Sequence, residues 1–169
     1  MKYTLKIIAS LCLTAFAVLT TSVHAAETST DALLYISPNY YKHSVHLLHP
    51  YYTYWFEQGP LVEPIALQAL QAKGLALKIC TGNETADTII SIKPSVFYNS
   101  QMRMYHGKME ATLYSGSGKM LGRYVGEAQQ LGYTSVDHAI TYLLNKVYTA
   151  AMQNLMTKLK IDPVLLTRI

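Results

Sequence analysis

Residues 103–130 read RMYHGKMEATLYSGSGKMLGRYVGEAQQ, and this stretch decides the fold. Apolar and polar side chains alternate from Arg103 to Tyr114, and a second alternating run extends from Lys119 to Gln130. A period of two is typical of a strand with one buried face. Between the two runs lies Ser115-Gly-Ser-Gly118, whose glycines tolerate the positive φ of a tight turn. The stretch therefore predicts an antiparallel β-hairpin.

The turn also predicts how the two strands pair. If residues 115–118 form a four-residue loop, the strands close at Tyr114 and Lys119. The inward pairs are then Leu113 with Met120, Ala111 with Gly122, and Met109 with Tyr124. On the other face Glu110 meets Arg123 and His106 meets Glu127, which are favourable cross-strand pairs.

The segments on either side of the hairpin predict an α+β domain. The run from Thr88 to Tyr98 alternates like a strand, although Pro94 implies an edge, a bulge or a strand break because it has no N–H to donate. Apolar side chains at helical spacing predict a helix over 60–73 and a long one over 135–160. We expect one mostly antiparallel sheet around the hairpin 103–130, with both helices packed on one face.

The N-terminus has the pattern of a secretory signal peptide. Lys2 and Lys6 precede an apolar run, and Val23-His-Ala25 provides the small residues at which such peptides are cleaved. Cys12 lies inside the apolar run, so we expect no lipid on it. The sequence therefore predicts a cleaved signal peptide, residues 1–25, and a single periplasmic domain, residues 26–169.

Charge and hydropathy exclude several classes of partner and of location. The formal charge of +4 falls to +2 when Lys2 and Lys6 leave with the signal peptide, and the chain contains no basic run. We therefore expect no binding of nucleic acid. No further apolar stretch is long enough for a transmembrane span in the mature chain. Cys80 loses its only possible disulfide partner, and we expect its thiol to be buried.

Residues 40–56 show no clear periodicity, and we expect this segment to be irregular or partly helical. Three histidines recur in it at a spacing of three. His43, His46 and His49 could supply imidazole ligands to Zn or Cu. Against a metal site, Pro50 breaks a helix where the third ligand is needed, and the run has no nearby cysteine. The alternative is that these histidines are solvated or packed on aromatic rings, in which case no cofactor is expected.

The same segment contains a run of aromatic residues. Tyr51, Tyr52, Tyr54 and the only tryptophan, Trp55, lie within five positions. Such side chains provide large contact areas at a low entropic cost and dominate the binding energy of interfaces. We expect several of them to border an exposed, partner-binding groove; the alternative is that they complete the core beside the sheet.

Signals for catalysis are missing from the sequence. There is no Gly-x-Ser-x-Gly elbow, phosphate-binding loop or dinucleotide fingerprint. Glu110 and Glu127 each have a predicted basic partner, which lowers a carboxylate pKa rather than raising it. We therefore expect a protein that is not an enzyme.

The order of elements resembles that of small envelope domains of Gram-negative bacteria, and of auxiliary lipoproteins of ABC-type lipid-transport systems in particular. The resemblance covers about residues 31–160. It is carried by Gly59-Pro-Leu-Val-Glu-Pro-Ile-Ala-Leu67, by Ala86-Asp-Thr-Ile-Ile90 and by the long last helix. It implies a non-catalytic accessory that binds an envelope protein as its partner.

Two functions follow from the sequence. The first is an exported, periplasmic accessory or interaction protein of the cell envelope, with its partner-binding residues in the aromatic run. The alternative is a periplasmic metal-binding protein that uses the three histidines. The sequence leaves the oligomeric state and the identity of the partner open.

Overall fold

The computed structural model describes residues 32–48, 53–73, 76–82 and 84–159. The predicted signal peptide therefore lies outside the described residues. Along the chain the elements are β1 (Ala32–Ile36), α1 (Pro38–Tyr41), β2 (Ser44–Leu48), β3 (Thr53–Glu57), α2 (Gly59–Gln71), β4 (Leu77–Ile79), β5 (Thr88–Asn99), β6 (Met104–Ser115), β7 (Met120–Leu131) and α3 (Asp137–Leu159).

Five of the strands form one sheet in the order β4-β1-β5-β6-β7. The three long strands β5, β6 and β7 are antiparallel, and the α+β prediction is confirmed. The short strand β1 lies between β4 and β5 and is parallel to both. A parallel pair needs a long crossover connection, and the segment that contains α2 provides it between β1 and β4.

The central hairpin is present, but its register differs from the prediction by two residues. Leu113 pairs with Gly122 rather than with Met120. Ser115 N–H donates to Lys119 O at 2.8 Å, so the loop has three residues instead of four, with Gly118 at φ +81°. This is a common three-residue hairpin geometry. An irregularity between Leu113 and Tyr114 accounts for the second residue of the shift.

From Leu113 and Gly122 away from the turn, a shift of two residues leaves each side chain on its predicted face, because side chains alternate with a period of two. Met120, predicted to face inward opposite Leu113, lies on the turn side of the irregularity; it pairs with Tyr114 and is exposed. Tyr105, Met109, Ala111 and Leu113 are buried, as expected. Ile90, Ile92 and Tyr98 of β5 are buried on the same side of the sheet. Pro94 lies beyond Ile92, where the ladder with β1 ends, so its missing N–H costs no bond to β1.

Both predicted helices are confirmed. The predicted bounds, 60–73 and 135–160, differ from those of α2 and α3 by at most two residues at either end. In α2 the fully buried positions include Val62, Ala66 and Leu70, while Pro64 lies near the start of the helix. The buried side of α3 consists of Ile140, Leu144, Val147, Tyr148, Ala151, Met152, Leu155 and Met156, and Leu143 and Leu159 are half-buried beside it. The helices pack on each other and on the sheet. None of the described helices has the length and hydropathy to cross a bilayer.

Candidate interaction surface

Residues 40–56 were predicted to be irregular or partly helical, and most of the described part of this segment instead forms a second, two-stranded sheet. Tyr40 and Tyr41 belong to the short helix α1. β2 and β3 pair antiparallel, with Val45 opposite Phe56, His46 opposite Trp55 and Leu47 opposite Tyr54. One face of this hairpin packs on the core: Leu47 is fully buried, and Tyr54 and Phe56 are half-buried against it. The other face is turned away from the core and carries His46 and Trp55.

Two hydrogen bonds attach this hairpin and the turn that follows it to α3. The Tyr54 hydroxyl and the Thr141 hydroxyl are 3.0 Å apart. One residue after β3, Gln58 Oε1 accepts a hydrogen bond of 2.7 Å from the Tyr148 hydroxyl, and both side chains are buried. The hairpin is therefore held against the helix at two points along the chain.

Trp55 is the most prominent side chain on the outward face. Its side chain is 60% exposed, although tryptophan is the largest apolar residue of the chain. Its ring lies flat on that of His46, with centroids 4.4 Å apart and an angle of 9° between the planes. His46 Nε2 is shielded and has no hydrogen-bond partner among the described residues. We call this pair, with the neighbouring outward positions Ser44, Thr53 and Glu57, the hairpin surface.

The predicted partner-binding residues differ in their exposure where the structure describes them. Trp55 is exposed as expected, whereas Tyr54 contributes mainly to packing against α3. Tyr51 and Tyr52 lie outside the described residues.

The predicted metal ligands are not brought together in the part of the chain that can be described. His43 is exposed just before β2, and His46 is stacked on Trp55. His49 lies outside the described residues. No group of three or more histidine, cysteine or acidic side chains is placed to hold a metal ion within residues 32–48, 53–73, 76–82 and 84–159. Cys80 is half-buried rather than buried, because β4 ends one residue before it.

The outer face of the main sheet, opposite the helices, carries ion pairs at its centre. Arg123 Nη2 lies 2.7 Å from Glu110 Oε2, and the hydrogen bond from this guanidinium lowers the pKa of Glu110. The pairing is diagonal, since Glu110 lies opposite Val125. Lys108 Nζ lies 3.7 Å from Glu127 Oε1, in place of the predicted contact between His106 and Glu127.

Sequence reasoning missed an apolar cluster at one end of this outer face. Phe97, Met102, Leu131 and Tyr133 are among the nine large apolar side chains that are exposed in the described residues. Met104 of β6 is half-buried. It lies directly opposite Leu131 of β7, with Phe97 of β5 on its other side. We call these five residues the end patch. Phe97 was detectable in the sequence, because it shares the polar face of its strand with Lys93 and Ser95.

Comparisons with known proteins bear on the fold. No family model matches the chain, and no curated protein matches it in sequence. A solved protein from Xanthomonas campestris, described under the family model DUF330, has a TM-score of 0.53 at 10% identity, over 78% of this chain and 87% of that one. A PelC dodecamer from Paraburkholderia phytofirmans has a TM-score of 0.43 at 14% identity, over 74% and 88%.

The likeness is one of fold. At 10% identity the Xanthomonas protein shares the arrangement of strands and helices, and no site residue is carried over from it. The resemblance to auxiliary lipoproteins of lipid-transport systems stays a prediction.

A groove lies between α2 and α3 in the described part of the chain. It has a volume of about 450 Å³, with Ile65, Ala69, Met152 and Met156 among its lining residues. Its described lining includes Lys73 but no acid, histidine or cysteine, so it offers no pair for proton transfer. Among the described residues, the hairpin surface and the end patch are the two surfaces on which large apolar side chains are exposed beside aromatic stacking.

Proposed function

We propose that the chain is an exported, non-enzymatic accessory protein of the cell envelope that binds a partner protein through the hairpin surface. The observation that carries the proposal is the position of Trp55: it is 60% exposed yet held flat against His46. A rigid, exposed indole is the kind of side chain that provides most of the binding energy at an interface.

The strand neighbours of Trp55 support this role because they fix the backbone beneath it. Tyr54 and Phe56 pack on the core, and Tyr54 also contacts Thr141 of α3. The indole therefore loses little freedom when a partner binds, which favours affinity. The residues around it on the hairpin surface are polar, as at the rim of a typical interface.

Export is the second part of the proposal. Residues 1–25 have the charged start, apolar run and small-residue exit of a cleaved signal peptide. The intact mass of the protein recovered from the periplasm tests this directly. We expect a chain that begins at Ala26 and carries no lipid; a mass that includes residues 1–25, or an added acyl chain on Cys12, contradicts it.

The binding part is tested by cross-linking in cells followed by mass spectrometry of the captured partner. We expect Trp55→Ala to reduce capture roughly tenfold or more, the effect of losing an interface hot spot. Because the side chain is mostly exposed, the free energy of unfolding should fall by less than about 1 kcal/mol. The matched control is Met120→Ala, which truncates a side chain that is 59% exposed on β7.

Capture by Met120→Ala should equal that of the unaltered protein. Unchanged capture by Trp55→Ala contradicts the proposal. So does a loss of capture that only follows a large loss of stability, because Trp55 is then a structural residue.

A further inference from the structure

The end patch is continuous across three strands. Met104 lies directly opposite Leu131, and Phe97 lies diagonally across from Met104 on the same face of the sheet. Side chains in these positions are close enough to touch. Phe97 is further fixed by stacking on His106, with ring centroids 4.5 Å apart and an angle of 1° between the planes. Phe97, Met104 and Leu131 thus occupy neighbouring positions of one face, and Phe97 is held in place by its stacking on His106.

The turn between β5 and β6 extends the patch beyond the end of the sheet. Met102, whose side chain is 55% exposed, lies in this turn, and its N–H donates to Asn99 Oδ1 at 3.1 Å. Arg103 has φ +51°, which is uncommon for a residue other than glycine. Its carbonyl accepts a hydrogen bond of 2.9 Å from Gly132 N–H. These contacts hold Met102 and Arg103 at the tip of the molecule.

The strand ends and loops around the end patch carry positively charged side chains but no acidic ones. Residues 94–109 and 128–136, which build the patch and its surroundings, contain no aspartate or glutamate. They do contain Arg103, whose guanidinium lies 5.0 Å from the centre of the Tyr133 ring. Next along the chain, Glu127 is paired with Lys108, and Asp137 begins α3. A cation beside exposed aromatic and aliphatic side chains is the composition of surfaces that enter the lipid headgroup region.

We propose that the end patch rests on the surface of a phospholipid bilayer that contains anionic headgroups. Phe97, Met102 and Leu131 enter the headgroup region, and Arg103 meets lipid phosphate. Tyr133, with its polar hydroxyl and apolar ring, lies at the boundary between them. The contact uses no residue of the hairpin surface, so the protein can bind a partner protein and the membrane at the same time.

The test places an indole in the patch and asks whether lipid reaches it. Leu131→Trp, in a Trp55→Phe background, provides the only tryptophan and replaces a side chain that is already 65% exposed. The protein is mixed with vesicles of phosphatidylethanolamine with about one quarter phosphatidylglycerol, a fraction that gives an anionic surface. Acyl chains brominated near the headgroup act as the quencher. The matched control is Met120→Trp in the same background, at the opposite end of β7.

We expect lipid to quench and blue-shift the indole of Leu131→Trp and to leave that of Met120→Trp unchanged. Two further substitutions are added to the Trp55→Phe/Leu131→Trp protein. Phe97→Ser should weaken vesicle binding, and Arg103→Gln should lower affinity for the anionic vesicles roughly fivefold, the effect of one cation near such a surface. Circular dichroism checks that each variant is folded.

Several outcomes overturn the proposal. An unquenched indole in Leu131→Trp shows that lipid does not reach the patch, and the patch then serves a second copy or another protein. Equal quenching in both variants shows a contact that is not specific to this end. Failure here leaves the cross-linking result with Trp55→Ala unaffected, so this proposal and the proposed function fail separately.

Discussion

Replacing Tyr148 by phenylalanine tests how the hairpin and α2 are joined to α3. The Tyr148 hydroxyl donates a hydrogen bond of 2.7 Å to Gln58 Oε1, and Tyr148 is fully buried. Gln58 is only 4% exposed, and it is the only buried polar residue in the described part of the chain. Tyr148→Phe removes the donor and leaves that amide oxygen unpaired away from water. An orphaned buried acceptor costs about 1–3 kcal/mol, so the free energy of unfolding should fall by that amount.

The assay is urea unfolding at neutral pH, followed by circular dichroism. The control is Tyr142→Phe, the same change six residues earlier on α3, where the side chain is 60% exposed and the expected loss is within about 0.5 kcal/mol. The double variant Gln58→Leu/Tyr148→Phe removes both partners and should recover part of the loss, because nothing polar remains unpaired. A loss in Tyr148→Phe no larger than that of the control refutes the reasoning.

The stability difference between the unaltered protein and Tyr148→Phe should also depend on pH. Burial raises the pKa of Tyr148 well above its usual range, because the folded protein disfavours the charged phenolate. In the unfolded chain this hydroxyl ionises at about pH 10. The contribution of Tyr148 to stability is therefore complete below about pH 10 and is lost as pH rises further, by up to about 1.4 kcal/mol per pH unit. The advantage over Tyr148→Phe should vanish within roughly two pH units above 10. A difference that stays constant to higher pH contradicts this account.

Three further predictions concern charge, packing and metal. Glu110→Lys should be less stable than Glu110→Gln, by about 1 kcal/mol or less, because it sets a like charge beside Arg123; equal urea midpoints contradict this. Gly126→Ala should cost about 1–3 kcal/mol in urea unfolding, because a Cβ there would lie 2.1 Å from Ala151 O; a neutral effect shows that α3 can move away. Calorimetric titration with Zn²⁺ should show no site tighter than micromolar, since His46 is stacked on an indole; a tight site lost in His46→Ala overturns that expectation.

The long strands were predictable because each has one buried and one exposed face. The pattern from Met104 to Leu113 settles which side chains face the core, and a register error of two residues leaves that assignment intact. What the pattern does not contain is the number of residues in the loop or the irregularity beside Tyr114. The loop length depends on backbone geometry, including the positive φ of Gly118, and neither that geometry nor the irregularity is revealed by a count of residues.

The β2–β3 hairpin was missed because the central outward position of β3 is aromatic, like its inward neighbours. In β3 the alternation of burial is regular, with Tyr54 and Phe56 inward and Trp55 outward. All three are aromatic, so the sequence shows a continuous apolar run where the structure has two faces. The outward position is made compatible with water by stacking on His46, a contact across strands that no local pattern predicts.

The parallel edge of the sheet was predictable in principle. A short apolar strand, a helix and a second short apolar strand are the signature of a βαβ unit, and β1, α2 and β4 follow that order. The position of β1 between β4 and β5 depends on contacts between distant parts of the chain, which single-sequence reasoning does not reach.

The way α3 lies on the sheet decides which surfaces remain for binding. Gly107 and Gly126 have no side chain, and α3 approaches the backbone there at Val147 and Leu155, so the helix covers that face of the sheet. From the same helix, Asn154 accepts a hydrogen bond from Glu127 N–H, and Lys158 donates to Val125 O.

These two bonds occupy backbone groups along the free edge of β7, which would otherwise be available for pairing with another strand. One face of the sheet and two backbone groups of the β7 edge are thus used for the fold itself. The outer face, the ends of the sheet and the β2–β3 hairpin are among the surfaces left for a partner. The exposed aromatic side chains Trp55 and Phe97 lie on such surfaces. The two contacts that we propose, with a partner protein at Trp55 and with lipid at Phe97, therefore use surfaces that α3 leaves uncovered.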